Sequence, residues 1–256
     1  SYVKLRIDQK RQAKGRFVLT GSQQFALIKN LGETLAGRIG LLELLPFDVE
    51  EAGRAGGGAD ALARFGHACL RGMYPEPNVT RSMDVPRWYA SYVQTYLERD
   101  IRQLTAVHDL RLFQNVIELL AARIGCLLNL NEIAKEAGVS FSTVQRWLSL
   151  LESTGLVFLL RPYSRNMTRR IVKSPKLYFG DTGLIAWLLR YPDPELLRFG
   201  PQSGAFFENL VVLECLKRKA NFARNTELFF YRDSNRNEID LVVDAGPNVT
   251  LVEIKQ

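Results

Sequence analysis

The sequence predicts a mixed α/β protein, and three observations carry that expectation. Short apolar runs alternate with a helical pattern near the start. A long helical stretch fills the middle. Brief apolar strands with alternating charged residues close the chain. Of its 256 residues, 46% are hydrophobic and 24% charged, the balance of a globular chain long enough to bury a core.

The elements follow in order. Residues 2–11 have the pattern of one amphipathic helix. Residues 16–20, RFVLT, read as a short strand ending in the polar turn at Gly21 and Ser22. Residues 23–31 read as a helix, and residues 39–45 as a second strand stopped by Pro46. The run RAGGGAD at 54–60 is a glycine-rich break, expected as a loop or boundary. Residues 62–125 are helical in period. Within them Trp88, Tyr92, Tyr96 and Leu97 form a stripe expected to be core.

Residues 129–163 hold the most specific local pattern. Asn131 is expected to cap a short helix, NEIAKEAG, that turns at Gly138, and Ser140 to cap a second one, FSTVQRWLSLLEST. Ile133, Ala134, Val139, Val144, Leu148 and Leu151 are spaced to pack two helices across that turn, a helix-turn-helix. Two strands follow, VFLLRPY and RIVKSPKLYF, so the expected unit is a winged helix. The start of the second helix would enter a major groove, placing Ser142, Thr143, Gln145 and Arg146 against bases or phosphates.

Charge points the same way. The formal net charge is +7, and the window at 161–176, RPYSRNMTRRIVKSPK, contains six basic residues and no acid. It links the two strands, so Arg165, Arg169, Arg170 and Lys173 would lie on a wing near phosphates, which supply affinity more than specificity. Lys217, Arg218, Lys219 and Arg224 form a second basic cluster, expected as a solvated face. DNA is the expected partner, with a homo-oligomer or a protein partner also open. The three cysteines, Cys69, Cys126 and Cys215, lie too far apart in sequence for a metal motif and are expected as reduced thiols. The two histidines do not make a metal site. No apolar run has the length of a membrane span and no signal-peptide pattern opens the chain, so a cytoplasmic location and no membrane partner are expected.

The final 77 residues, 180–256, carry carboxylates on apolar elements. Asp240 interrupts the strand EIDLVV, Glu253 and Lys255 alternate with Val252 and Ile254 on the next, and Glu208 lies on the helix before them. Carboxylates on apolar strands are costly unless a cation offsets them. An Asp followed by Glu-x-Lys on a neighbouring strand resembles the PD-(D/E)xK arrangement of restriction-endonuclease-like folds. In that chemistry Asp240 and Glu253 would hold Mg²⁺, Glu208 would be an auxiliary acid, and Lys255 would act as base or charge stabiliser. Arg232 and Gln256 would be placed to meet phosphate.

The order FVLTGSQQF, LAGRIGLLELLPF, YLERDI, the helix-turn-helix, SPKLYFGDTGL, GAFFENLVVLE and EIDLVV…LVEIK resembles prokaryotic AAA-type ATPases that carry a C-terminal domain of unknown function. The resemblance runs along nearly the whole chain. It implies that the first residues are the end of a P-loop core, that Thr20 and Ser22 sit in a sensor-like turn, and that Arg38 acts on nucleotide, in trans if the protein is a homo-oligomer. The sequence holds no G-x-x-x-x-G-K-[ST] loop and no Walker B strand, so ATP is expected only in the full-length family member and the chain is expected to be a fragment. The expected divisions are 1–53, an ATPase remnant; 61–127, a helical lid or linker; 128–179, a winged helix; and 180–256, a nuclease-like domain. Three functions fit these residues: a DNA-binding part of an ATPase, a Mg²⁺-dependent DNA endonuclease, and a scaffold that binds a protein partner through the winged helix.

Overall fold

The computed structural model describes residues 2–19, 35, 37–40, 42–56, 61–96, 110–163, 174–222, 225–233 and 237–256. The class is mixed α/β, with helices around a five-stranded sheet. The chain divides into two compact units, Ser1–Leu44 and Leu45–Gln256.

In the first unit α1 (Tyr2–Gln9) forms as its pattern predicts. The two strands expected at 16–20 and 39–45 do not form among the described residues. A strand needs a neighbour to take up its N–H and C=O groups. The described residues of those runs have no ladder partner, and the side chains of Val18, Leu42 and Leu44 are open to water. The helix expected at 23–31 lies outside the described residues, as do Thr20 and Ser22.

The second unit opens with α2 (Val49–Gly56), so the expected loop at 54–60 begins inside a helix. The reason is a capping box. Asp48 Oδ1 accepts from Glu51 N at 2.7 Å, and Glu51 Oε2 accepts from Asp48 N at 3.0 Å. The helical middle becomes α3 (Ala61–Arg71), α4 (Pro75–Val79), α5 (Val85–Tyr96) and α6 (Leu110–Ala121). Of the expected core stripe, Trp88 and Tyr92 stack at 5.3 Å and are half-buried beside Tyr74, whereas the Tyr96 side chain and Leu97 lie outside the described residues.

Next come α7 (Leu130–Ala137) and α8 (Phe141–Ser153). The cap of α7 is Asn129 rather than Asn131: its side chain accepts from Glu132 N, and Leu130 already belongs to the helix. Gly138 turns the chain at φ 68°, a left-handed conformation that costs glycine little. Ser140 caps α8 as expected, accepting from Thr143 N at 3.2 Å. Ile133, Val144 and Leu151 are fully buried between the helices, and Phe113 of α6 meets Trp147 of α8 edge-on at 5.2 Å. Arg123 fastens the end of α6 to α7, donating to Leu119 O at 3.0 Å and to Glu136 at 2.5 Å.

The hairpin β1 (Val157–Pro162) and β2 (Lys176–Phe179) pairs antiparallel, with Phe158 opposite Tyr178. Then follow α9 (Thr182–Leu188), α10 (Pro194–Phe199), α11 (Ser203–Asn221), β3 (Glu227–Arg232), β4 (Glu238–Asp244) and β5 (Val249–Val252). The strand order is β2-β1-β3-β4-β5, with β1 and β3 parallel and the other neighbours antiparallel. A single sheet therefore joins the hairpin after α8 to the three last strands. One core lies among the helices and the hairpin. A smaller one, with Leu160, Tyr178, Val212, Phe230 and Leu241, lies between the sheet and α11. Among the described residues, no helix is long and apolar enough to cross a membrane.

Candidate functional site

Two groups of predicted residues fall on described structure. The first is the outer face of α8. Ser142, Gln145, Arg146 and Ser149 follow a spacing of three, four and seven residues, which puts them on one side of a helix, and all four are exposed. Val144, Trp147, Leu148 and Leu151 fill the opposite side and are buried. Phe141, at the first turn, stays 44% exposed. Thr143 is half-buried, its hydroxyl 2.8 Å from that of Ser140, so it supports the cap. The buried side fixes the helix, and the free side presents an amide, a guanidinium and hydroxyls with little apolar surface besides Phe141. Arg165, Arg169, Arg170 and Lys173 lie outside the described residues.

The second group gathers around one lysine that the sequence reading counted only as part of the basic run. Lys176 begins β2, and its side chain is 4% exposed. Its ammonium lies 2.6 Å from Glu238, 2.9 Å from Glu208 and 3.9 Å from Asp240. Tyr178, two residues along the same strand, donates its hydroxyl to the same Glu208 oxygen at 2.5 Å. Arg232 meets the other oxygen of Glu238 at 3.3 Å. Asp240 Oδ2 accepts from Ile254 N at 2.8 Å.

The position of Asp240 depends on an irregularity in the sheet. Phe229 pairs with Val242 and Tyr231 with Ile239, so Asp240 and Leu241 together oppose the single residue Phe230. Such a bulge re-aims a side chain that strict alternation would send elsewhere. Burial by itself would lower the pKa of Lys176, but hydrogen bonds to Glu238 and Glu208 outweigh it and hold the pKa above the ordinary lysine value. Burial and the neighbouring Glu208 charge push Tyr178 far up, so its phenol stays protonated.

Glu208 and Asp240 both lie near Lys176, whereas Glu253 and Lys255 are not joined to them. β5 ends at Val252, and both residues lie beyond it. Glu253 is 53% and Lys255 80% exposed at the side chain, and they pair with each other at 3.6 Å. Among the described residues, no three His, Cys, Asp or Glu side chains form a group that could hold a metal ion. The Mg²⁺ donor set expected at Asp240 and Glu253 is not assembled: Asp240 turns to Lys176 and Ile254, and Glu253 turns outward. Arg232 and Gln256 likewise face inward partners, Glu238 for the first and Ser203 at 2.6 Å for the second.

Three further placements matter. Arg38, expected near nucleotide, pairs with Asp8 at 2.7 Å, and its hydrogen bond holds the Asp8 carboxyl below the usual range. Lys217, expected on a solvated face, is buried and donates to Phe47 O at 2.7 Å and to Glu214 at 2.9 Å. Asp181, unassigned by the sequence reading, is fully buried as the cap of α9. It accepts from Leu184 N at 2.8 Å, Met73 N at 2.6 Å and Tyr89 OH at 2.6 Å.

Comparison with known proteins gives the family. The model of a domain of unknown function, DUF8612, matches residues 62–195, which is half of the chain. The chain belongs to the DUF8612 family. Residues 1–53 match the AAA domain model, so this DUF8612 protein is ATPase-like at its N-terminal end, and residues 203–256 match a second domain of unknown function, DUF4143. Two uncharacterized proteins, Rv2008c of Mycobacterium tuberculosis and Mb2031c of Mycobacterium bovis, are each 32% identical over 94% of the chain and 52% of their own length. Uncharacterized protein MJ1544 of Methanocaldococcus jannaschii is 23% identical over 92% of the chain and 54% of its own length. The chain therefore spans about half the length of the curated relatives it matches. No solved structure matches it.

Proposed function

We propose that this chain is the DNA-binding part of an AAA-type ATPase-like protein, with α6, α7, α8 and the β1–β2 hairpin forming a winged-helix module. The observation that carries the reading is the outer face of α8, where Ser142, Gln145, Arg146 and Ser149 share one solvent-exposed side of a helix fixed by Trp147 and Leu151. A helix so presented fits a major groove, where an amide reads adenine and a guanidinium reads guanine or phosphate. The basic residues between β1 and β2 in sequence, Arg165, Arg169, Arg170 and Lys173, supply positive charge that would draw a phosphate backbone. ATP hydrolysis is not assigned to these residues, because the phosphate-cradling glycine-lysine loop is absent from the sequence.

The scaffold alternative predicts no salt-sensitive affinity for DNA. The test is fluorescence anisotropy of labelled duplex DNA across a salt series. Binding should weaken steeply as salt rises, and Arg165→Ala combined with Arg169→Ala should flatten that dependence. Absence of any salt-sensitive binding at low ionic strength would overturn the reading and leave the protein-partner scaffold.

A further inference from the structure

We propose that Lys176 is the resident cation of the Glu208–Glu238–Asp240 cluster, holding apart carboxylates that as they stand form no metal-binding group, so that the native chain takes up no metal there. The inference is independent of DNA binding and opposes only the Mg²⁺-dependent nuclease expectation.

The geometry argues for it on three counts. First, four of the six carboxylate oxygens of the cluster already have close partners. One Glu208 oxygen receives both Lys176 and Tyr178, Glu238 receives Lys176 on one oxygen and Arg232 on the other, and Asp240 receives Ile254 N. Second, the charge is nearly balanced from within: three carboxylates face the cations Lys176 and Arg232. A second cation of charge two placed among the same oxygens would lie close to a buried ammonium, and like charges at such range repel strongly in a poorly solvated site. Third, the lysine is not a visitor from solvent. Its strand is pinned on one side by β1 and its stem lies near the Phe230 ring, with the ammonium 5.7 Å from the ring centre. The cluster thereby ties three elements, β2, α11 and β4, at the join between the hairpin and the last strands.

A carboxylate group that has lost its internal cation should accept an external one. The full chain and Lys176→Gln, which is one bond shorter and keeps a hydrogen-bond donor but not the charge, are titrated with Mn²⁺ and followed by thermal unfolding and by the loss of the free Mn²⁺ resonance signal. The expected result is no bound Mn²⁺ and no change in Tm for the native chain. Lys176→Gln should bind Mn²⁺ and regain Tm, and Asp240→Asn in that background should abolish the gain. Lys176→Arg, which restores the charge, should again bind none. Binding of Mn²⁺ by the native chain that Asp240→Asn removes would overturn the proposal, as would a folded Lys176→Gln that ignores the metal. If Lys176→Gln folds only when Mn²⁺ is present, the proposal stands. If it does not fold under either condition, the native-chain titration with its Asp240→Asn control decides: no bound Mn²⁺ supports the proposal, and bound Mn²⁺ lost in that variant overturns it.

Discussion

The Lys176 ammonium lies 2.6 Å from the Glu238 carboxylate, across the boundary between the hairpin that follows α8 and the strands that end the chain. A buried charge is costly unless its partners remain, so the energetic asymmetry is large: deleting one partner is far worse than never having built the pair. Lys176→Met should therefore destabilise the chain by about 3–5 kcal/mol, since it strands Glu208 and Asp240 without their cation. Lys255→Met should change stability by less than about 0.5 kcal/mol, because that lysine is exposed and, among the described residues, its only ion pair is with nearby Glu253. Urea unfolding of the two variants side by side measures the contrast. Equal effects would show that burial does not separate the two lysines.

Asp181 ties the start of α9 to α5 and to the link between α3 and α4, through single donors from Leu184, Tyr89 and Met73. Gly72 makes room for it. At φ 69°, a Cβ there would come within 2.0 Å of the Tyr89 hydroxyl and 2.5 Å of the Asp181 oxygens. Asp181→Asn should cost about 1–3 kcal/mol, because its amide would turn a donor toward one of three existing donors. Gly72→Ala should cost at least as much, combining a clash of about 1–3 kcal/mol with a left-handed backbone. Thermal unfolding checks both. A Gly72→Ala chain with native Tm would refute the tight approach.

The pH response follows from the same cluster. Lys176 and Tyr178 both have folded-state pKa values above their ordinary ones. The native chain thus holds these two protons more tightly than the unfolded chain does. Their contribution is fully present below the unfolded values and is lost as pH rises through the folded ones, so stability should fall above roughly pH 10. Lys176→Met should show a flatter alkaline limb than the native chain. Tyrosinate absorbance should detect at least two phenols that ionise only with unfolding, Tyr178 and the equally buried Tyr89, and Tyr178→Phe should reduce that step by one. A phenol census that rises smoothly before unfolding would contradict the burial of Tyr178.

Legibility differed from residue to residue for physical reasons. Periods of 3.6 and the turn residues Gly138 and Ser140 are local signals, so α7 and α8 could be read with only the cap moved from Asn131 to Asn129. The pair Asp48 and Glu51 was equally local and was available as a capping signal for α2. The apolar runs near residues 18 and 42 had strand composition but, among the described residues, no neighbour to pair with, and pairing is a long-range property. Glu208 and Asp240 were found because acids on apolar elements ask for a cation. Which cation answers was hidden, because Lys176 is 32 residues from Glu208 and the bulge at Asp240 breaks the alternation on which the reading relied. The one hint was composition: Lys176 opens an otherwise apolar run, KLYF, where a solvated lysine is out of place.

Ser140, Gln145 and Arg146 separate fold from function on α8. Ser140→Ala removes a cap whose side chain accepts from Thr143 N, and should cost about 1 kcal/mol of stability. It should weaken DNA binding only as far as the helix start frays. Arg146→Ala and Gln145→Ala remove exposed groups and should leave Tm nearly unchanged. If Gln145 reads a base edge, its loss should cost about 1–3 kcal/mol of affinity for a preferred sequence and nothing for others. If Arg146 meets a phosphate, its loss should weaken all duplexes alike and lower the salt dependence by about one counterion. Anisotropy against duplex pools at several salt concentrations, with Tm measured on the same samples, tells these apart. Variants of both residues that keep native affinity and native salt dependence would remove α8 from the interface and leave any DNA affinity to the basic segment between β1 and β2.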